Sequence, residues 1–299
     1  MEVDLTLFKE ELISLFFKNL NLKRTNYITE VLEYNTWDGK LTRASLTYSV
    51  LKKLGDISLN DLFLCYLNEI IQGSFIIFDD IMDQSELRRN KPCWHKVKGN
   101  KVIKDGYFLL SCVRKLLPSN KIIRLYDKMF FRSCLGQTHD SLSELSNFND
   151  LCQLKNFYEM KNYKLICLNK NAFYTFYFPI KMGLLHRKIS NLPNLFMVCK
   201  LLGELHQMQD DYLNFLPNTN KSCLDVKQRK NTWFMCKYFE KEEGNEFYDD
   251  ILLEEKLREY INEYFKEEER LIDVISEIKV HLIGDVIQKC LLLMNKRKK

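Results

Sequence analysis

Glycine and proline, the residues that most often interrupt helices, are scarce in this chain. They occur 10 and 5 times among 299 residues, below average usage for both. The hydrophobic share of 46% is ample for a large buried core. We therefore expect an all-α fold, including one amphipathic helix over residues 248–279, where an apolar stripe runs unbroken. No repeat or linker divides residues 1–299, which we interpret as a single domain.

The balance of charges and the cysteine pattern exclude several classes of partner. The 45 basic and 40 acidic side chains are interleaved and leave a net charge of +5, so no nucleic-acid surface is indicated. No apolar run approaches the length that spans a bilayer, and the first residues are too acidic for a presequence. The ten cysteines contain no CxxC pair, which is typical of buried thiols in a reducing compartment. We expect a cytoplasmic protein with no membrane span and no nucleic-acid partner.

An apolar run followed by acids and then by two arginines stands out at residues 73–94, GSFIIFDDIMDQSELRRNKPCW. The apolar residues predict a mostly buried helix that carries Asp79, Asp80 and Asp83 at its C-terminal end. The helix dipole disfavours negative charge there, and Asp79 and Asp83, one turn apart, repel each other. Each effect costs a few tenths to about 1 kcal/mol. A bound cation would relieve both.

Magnesium is the cation that suits these donors. Carboxylates without a neighbouring His or Cys are hard oxygen ligands, and Mg²⁺ held by one or two of them completes its shell with water and substrate phosphate. Arg88 and Arg89 then supply forked donors for phosphate oxygens. Taken alone, the stretch could equally be a solvated acidic helix end followed by a basic loop.

A second acidic cluster repeats the pattern. In QMQDDYLNF, residues 207–215, Asp210 and Asp211 again close an apolar helical run, and Asn214 stands where a third acid would complete the motif. Two such clusters facing one another across a cavity could hold two or three Mg²⁺ ions around a diphosphate. The pairing favours a metal and diphosphate site over two solvated helix ends.

With these two motifs the sequence resembles the trans-isoprenyl diphosphate synthases, and within them the farnesyl diphosphate synthases. DDIMDQSELRRNKPCW is similar to the first aspartate-rich motif of that family and QMQDDYLN to the second; the resemblance extends from Gly39 to Lys299. It implies an isoprenoid synthase bundle of helices around a central cavity, and a homodimer. The implied reaction is the Mg²⁺-dependent, head-to-tail condensation of isopentenyl diphosphate with dimethylallyl and geranyl diphosphate.

The resemblance also implies roles for individual residues. The implied catalytic residues are Asp79, Asp80, Asp83, Lys170, Asp210 and Asp211, of which Asp79, Asp83 and Asp210 would bind two to three Mg²⁺ ions. The positions that match isopentenyl diphosphate ligands are Lys40 and Arg43 of the GKLTR turn, Gln72 and Arg89. The positions that match allylic diphosphate ligands are Arg88, Lys170, Asn171, Gln207, Lys221 and Lys230.

Product length in this family depends on the fourth and fifth residues before the first motif. Phe75 supplies one aromatic wall there, whereas Ser74 leaves open a place that animal-type farnesyl enzymes fill with a second aromatic ring. We expect farnesyl diphosphate as the main product, with some leakage to the next longer chain.

Departures from the family pattern keep two alternatives open. Asn171 replaces a Thr, Asn214 replaces an acid, and Cys223 with Leu224 replaces a Gly-Thr pair. A terpene synthase of this fold would lack the isopentenyl site, but all four matching residues are present. A non-catalytic prenyl-synthase-like subunit would lack the acidic pairs, and both pairs are present as well.

Overall fold

The computed structural model describes residues 4–141, 151–216, 224–241 and 250–295. Lys221, a predicted allylic diphosphate ligand, and Cys223, a departure from the family pattern, lie outside these ranges. The regular structure is almost entirely helical, which confirms the predicted all-α class. The elements are a 3₁₀ turn (Leu5–Phe8), α1 (Lys9–Leu20), α2 (Asn26–Thr36), α3 (Thr42–Lys53), α4 (Leu59–Met82), β1 (Leu87–Arg88), β2 (Lys91–Pro92), α5 (Trp94–Lys98), a second 3₁₀ turn (Asn100–Val102), α6 (Ile103–Leu116), α7 (Asn120–Asp140), α8 (Leu151–Phe157), α9 (Met160–Ile166), a π-helical segment (Cys167–Tyr177), α10 (Phe178–His186), α11 (Leu195–Leu213), α12 (Leu224–Lys227), α13 (Trp233–Lys241), α14 (Asp250–Arg258), α15 (Ile261–Glu277) and α16 (Gly284–Asn295).

The chain divides into two compact units. Unit 1 comprises Met1–Asp127 and Pro179–Ser190, and unit 2 comprises Lys128–Phe178 and Asn191–Lys299. In unit 1, α4 is the central helix and packs against α1, α2, α3, α5 and α6. In unit 2, α11 has this place and packs against the π-helical segment, α13, α15 and α16. Each predicted acidic cluster therefore lies at the end of the central helix of its unit.

Helix α4 begins with a capping box and is apolar on almost all sides. The Ser58 hydroxyl accepts the Asp61 N–H at 3.2 Å, and the Asp61 carboxylate accepts the Ser58 N–H at 2.9 Å. Within the described ranges, α4 is the one helix that is long and apolar enough to cross a bilayer, and 78% of its apolar window is buried inside the protein. That burial is the pattern of a core helix.

The single helix expected over residues 248–279 is wrong, because α14 and α15 are separate. The N–H groups of Glu259 and Tyr260 donate to Lys256 O and Leu257 O, three residues back, at 3.2 Å each. This tight turn ends α14. The apolar stripe nevertheless continues across the break, since Leu257, Tyr260 and Tyr264 are all buried.

The π-helical segment of unit 2 lies very close to two neighbouring helices. A Cβ on Gly136 of α7 would come within 2.5 Å of Lys170 N, and a Cβ on Gly203 of α11 would clash with Ala172. Both glycines therefore serve close backbone approach. Short π-helical stretches are frequent at functional sites, and this one carries Lys170 and Asn171.

Candidate active site

The predicted site residues divide between the two units. Unit 1 carries Lys40, Arg43, Gln72, Ser74, Phe75, Asp79, Asp80, Asp83, Arg88 and Arg89. Unit 2 carries Lys170, Asn171, Gln207, Asp210, Asp211 and Lys230.

The first acidic cluster ends α4, as the sequence predicts. Asp79 and Asp80 lie in its last turn, and Asp83 is its C-cap, whose N–H donates to Asp79 O at 2.8 Å. Asp80 is buried, whereas Asp79 and Asp83 are half-buried. The two acids that remain accessible are therefore the two that are one turn apart.

Arg88 neutralises much of this cluster. Its Nε donates to Asp80 Oδ1 at 2.8 Å, and its Nη2 lies 2.6 Å from the same oxygen and 3.3 Å from Asp79 Oδ2. Burial would lower the pKa of Arg88, but the bond and the charge of Asp80 outweigh burial and raise it. Burial, together with a hydrogen bond donated to Asp80, raises the pKa of the Cys93 thiol to about 12. The sequence predicts that a bound cation balances the charge at the helix end; in the structure, the Arg88 guanidinium already balances part of it.

The two arginines belong to a β-hairpin whose strands, Leu87–Arg88 and Lys91–Pro92, are two residues long and are joined by a two-residue turn. Leu87 pairs with Pro92, and Arg88 with Lys91. Arg89 and Asn90 form the turn with φ of 55° and 62°. Two positive φ values are the requirement of a type I′ turn. An arginine in the left-handed region is uncommon, so this backbone conformation is held by its surroundings.

Arg89 packs against the loop before α3 instead of against the acids. A Cβ on Gly39 would come within 2.6 Å of its Nη2, so a larger residue at position 39 would make the guanidinium move. Burial lowers the pKa of Arg89, and the charge of Glu69 partly offsets that effect. The two adjacent arginines therefore contact different parts of unit 1: Arg88 pairs with the acids at the end of α4, and Arg89 lies beside Gly39 and Glu69.

Glu69 lies at the centre of the group that contains Arg89 and the start of α3. The sequence did not predict a role for it. This buried carboxylate on α4 accepts the Ala44 N–H of α3 at 2.9 Å. Burial raises the pKa of Glu69, whereas the Ala44 N–H and the charges of Arg43 and Arg89 oppose the rise. One carboxylate therefore links the start of α3 to two predicted isopentenyl ligands. Its signal in the sequence is a lone acid inside the apolar run LCYLNEIIQ.

The other two predicted isopentenyl ligands lie close in sequence to this group. Lys40 is exposed, two residues before α3 begins at Thr42. Gln72 is half-buried on α4 and follows Glu69 by three residues, so the two share a helix face. Their binding role stays a prediction.

The residues expected to set product length lie one turn before Asp79. Ser74 is fully buried and donates its hydroxyl to Ile70 O at 2.8 Å, whereas Phe75 is half-buried. Phe78 packs its ring onto Gly106 of α6, where a Cβ would come within 2.5 Å of the ring. Ser74 itself is enclosed by protein. The expected open space beside Ser74 in the product pocket stays a prediction.

In unit 2, the π-helical segment presents Lys170 to the end of α7. Its Nζ forms an ion pair with buried Asp140, the last residue of α7 and of the GQTHD sequence. The lysine side chain keeps 28% of its surface exposed. It is therefore both partnered within the protein and accessible to a ligand.

A chain of hydrogen bonds connects Asn171 to the second acidic cluster. Asn171 Nδ2 donates to Gln207 Oε1, and Gln207 Nε2 donates to Asp211 Oδ1 at 2.8 Å. Asp211 also accepts the Tyr163 hydroxyl at 2.9 Å and the Trp233 N–H at 2.8 Å. Burial raises the pKa of Asp211 to about 8, although the bonds from Trp233 and Gln207 oppose the rise. Asp211 joins α11 to α9 and α13, and its catalytic role stays a prediction.

Asp210 is the more exposed acid of the second cluster. Its side chain is 27% exposed, and His206 Nδ1 lies 3.6 Å from its Oδ2, one turn earlier. The two clusters therefore share a pattern, since a half-buried acid (Asp79 or Asp210) directly precedes a buried one.

Asn214 and Asp225 connect the end of α11 to the predicted lysine. Asn214 Nδ2 donates to Asp210 O at 3.1 Å and to Asp225 Oδ2 at 2.5 Å. Lys230 Nζ lies 3.8 Å from Asp225 Oδ1. Of the two lysines predicted in this loop, the structure describes Lys230.

The donors of both clusters fit Mg²⁺. Asp79, Asp83 and Asp210 all present half-buried carboxylates at helix ends. In the described part of the chain, no three His, Cys, Asp or Glu side chains gather into a complete protein cage. Mg²⁺ normally takes one or two carboxylates and completes its octahedron with water and substrate phosphate, which is what these incomplete donor sets allow.

Comparison with known proteins agrees with this geometry. The chain matches the family model of the polyprenyl synthetases over residues 25–276. Geranylgeranyl pyrophosphate synthase of Schizosaccharomyces pombe is 32% identical over 73% of this chain and 67% of that protein. Farnesyl pyrophosphate synthase of Saccharomyces cerevisiae is 30% identical over 70% of this chain and 65% of that protein.

A solved structure supports the fold over nearly the whole length. Farnesyl diphosphate synthase of T. brucei aligns with a TM-score of 0.77 and 20% identity, covering 98% of each chain. The predicted all-α isoprenoid synthase fold and the predicted enzyme class, a prenyltransferase, are confirmed. The match of residues 25–276 shows that the chain belongs to the polyprenyl synthetase family.

Proposed function

We propose that this protein is a farnesyl diphosphate synthase. Several relatives carry that name, including those of Saccharomyces cerevisiae and Candida albicans. The observation that carries the proposal is the separation of Arg88 from Arg89 in unit 1. Arg88 binds the acids of the first cluster, and Arg89 lies with Arg43 around Glu69. Two cationic places suit two diphosphate substrates, whereas a terpene synthase needs only the place beside the acids.

The first group of residues would bind the allylic diphosphate. Mg²⁺ held by Asp79, Asp83 and Asp210 would neutralise the diphosphate as it departs. Arg88, Lys170, Lys221 and Lys230 would add charge-assisted hydrogen bonds to its oxygens. Lys170 would then exchange its partner Asp140 for the substrate.

The second group would hold isopentenyl diphosphate. Lys40, Arg43, Gln72 and Arg89 would fix its diphosphate, and Glu69 would orient the two guanidiniums. Placing the double bond next to the allylic carbon can contribute several kcal/mol, on the order of 7 or more in favourable cases.

The bonds made and broken follow from these two substrates. The allylic C–O bond breaks and its electron pair leaves with the diphosphate. The C3–C4 double bond of isopentenyl diphosphate then attacks the allylic carbon, and a proton leaves C2. We assign the departed diphosphate as the base that takes this proton, because the reaction requires no protein carboxylate there.

The remaining properties are proposals of the same kind. A cytoplasmic location is supported by the nine cysteines in the described ranges, all of which are free thiols. The single domain rests on a sequence in which no repeat or linker is evident, and the homodimer rests on the resemblance; the solution mass of the purified protein tests the dimer.

One assay tests the proposed function. Purified protein is incubated with Mg²⁺, labelled isopentenyl diphosphate and either dimethylallyl or geranyl diphosphate, and products are analysed before and after phosphatase treatment. We expect farnesol after phosphatase and no turnover in EDTA. A hydrocarbon released without phosphatase and without incorporated label would instead identify a terpene synthase. Absence of any product from pure, folded protein would favour the non-catalytic subunit.

A further inference from the structure

Asn214 occupies the position where the second motif would have its third acid. It is 2% exposed, at the C-cap of α11. Its amide nitrogen donates to Asp210 O, one turn earlier, and to the Asp225 carboxylate beyond the end of the helix. The second bond reaches from the core helix of unit 2 to α12.

Asp225 extends this connection to Lys230. Its Oδ1 lies 3.8 Å from Lys230 Nζ, and its backbone carbonyl accepts the Lys230 N–H at 3.0 Å. The far end of the segment is held separately, since Arg229 O accepts the Tyr158 hydroxyl at 2.7 Å. The bond from Asn214 thus ties the α12 side of this segment to the end of α11.

A carboxylate at position 214 could not make this contact. An ionised acid has no hydrogen to donate, and its charge would stand at hydrogen-bond distance from Asp225. Like charges at that separation, partly screened from water, repel strongly. The amide therefore turns a repulsive neighbour into a bonded one.

We propose that Asn214 is a positioning residue for allylic diphosphate binding. It holds Asp225, and through Asp225 it holds Lys230 at the place where that lysine receives the diphosphate. The proposal rests on the proposed function for the identity of the ligand. The anchoring of residues 224–231 is a property of the protein alone.

The central test is the substitution Asn214→Asp in the full chain. We expect the KM for geranyl diphosphate to rise about tenfold or more, as loss of one charge-assisted contact would produce, while the KM for isopentenyl diphosphate stays within about twofold. Without substrate, hydrogen–deuterium exchange of residues 224–231 should become faster. The double variant Asn214→Asp with Asp225→Asn restores one donor and one acceptor between positions 214 and 225, and should recover the slow exchange; the KM should recover in part, because the amide oxygen at position 225 still accepts from Lys230 but carries no charge.

A matched control separates anchoring from general destabilisation. Gln209 is also buried on α11 and donates to buried Glu268 of α15 at 2.8 Å, so Gln209→Glu creates a like-charge contact between α11 and α15. We expect it to lower Tm without accelerating exchange at 224–231.

Three results would overturn the proposal: unchanged exchange in Asn214→Asp, no recovery in the double variant, or the same faster exchange in Gln209→Glu. If the wild-type protein proved inactive, the proposed function would fail, whereas the exchange measurements would still decide the anchoring.

Discussion

The substitution Glu69→Gln removes the charge of the buried carboxylate on α4 and preserves its size. The amide oxygen can still accept the Ala44 N–H that Glu69 accepts at 2.9 Å, so the start of α3 keeps its partner. The negative charge that acts on Arg43 and Arg89 is lost. The substitution therefore tests whether this charge holds the two guanidiniums in place for isopentenyl diphosphate.

The expected magnitude follows from the type of contact that is lost. Without the counter-charge, a displaced guanidinium would lose a hydrogen bond to the diphosphate. A hydrogen bond to a charged group contributes about 1.5–3 kcal/mol, and about 1.4 kcal/mol corresponds to a tenfold change in affinity. The KM for isopentenyl diphosphate should therefore rise by about 10- to 100-fold. Two half-buried guanidiniums would also lose a counter-charge, so we expect Tm to fall by a few degrees, about 2–4 °C for each kcal/mol.

Initial rates provide the assay, with labelled isopentenyl diphosphate varied at saturating geranyl diphosphate and then the reverse. The KM for geranyl diphosphate serves as the internal reference and should change by less than about twofold. Glu204→Gln is the matched control, because Glu204 is a buried carboxylate of unit 2 that pairs with Lys164 at 3.0 Å. Equal increases in both KM values, or the same increase in Glu204→Gln, would refute the role given to Glu69.

Three further predictions concern the acidic clusters and the product. Asp210→Asn should abolish Mg²⁺-dependent turnover, since it removes a metal ligand, while Tm stays near the wild-type value; normal turnover would contradict the two-cluster assignment. Burial raises the pKa of Asp211 to about 8 from 3.8, so the folded protein keeps a proton that the unfolded chain has released. The stability from that proton is complete below about pH 4 and is lost as pH rises through about 8. Tm of the metal-free protein should therefore fall more steeply from about pH 5 to about pH 8 than Tm of Asp211→Asn, and parallel curves would show that another group titrates. Phe75→Ala should lengthen the product in a chromatographic assay, and an unchanged product distribution would place the floor of the pocket elsewhere.

The parts of the site that the sequence predicts are those set by local pattern. The apolar run before Asp79 predicts a helix that ends in acids, and the run before Asp210 predicts another; both helices end there. The four-residue spacing of Asp79 and Asp83 also predicts that they share one face of the helix, whereas Asp80 points away from that face. These features need only the periodicity of one helix.

The parts that the sequence could not predict depend on contacts between distant residues. Glu69 acquires its role because α3 and the hairpin bring Ala44 and Arg89 to it. Asp211 becomes an anchor because α9 and α13 supply Tyr163 and Trp233. The break between α14 and α15 was hidden for another reason, since the buried stripe continues through it.

The hairpin at residues 87–92 has a consequence for how such a chain can change over evolutionary time. Its turn contains two residues, Arg89 and Asn90, and this length fixes which arginine pairs with Asp80 and which packs on Gly39. Replacing Asn90 by glycine would suit the positive φ even better. Inserting or deleting one residue would instead shift the strand register and separate one arginine from its partner. The length of this turn should therefore tolerate less variation than its composition, and a single-codon insertion here should be more damaging than most point substitutions nearby.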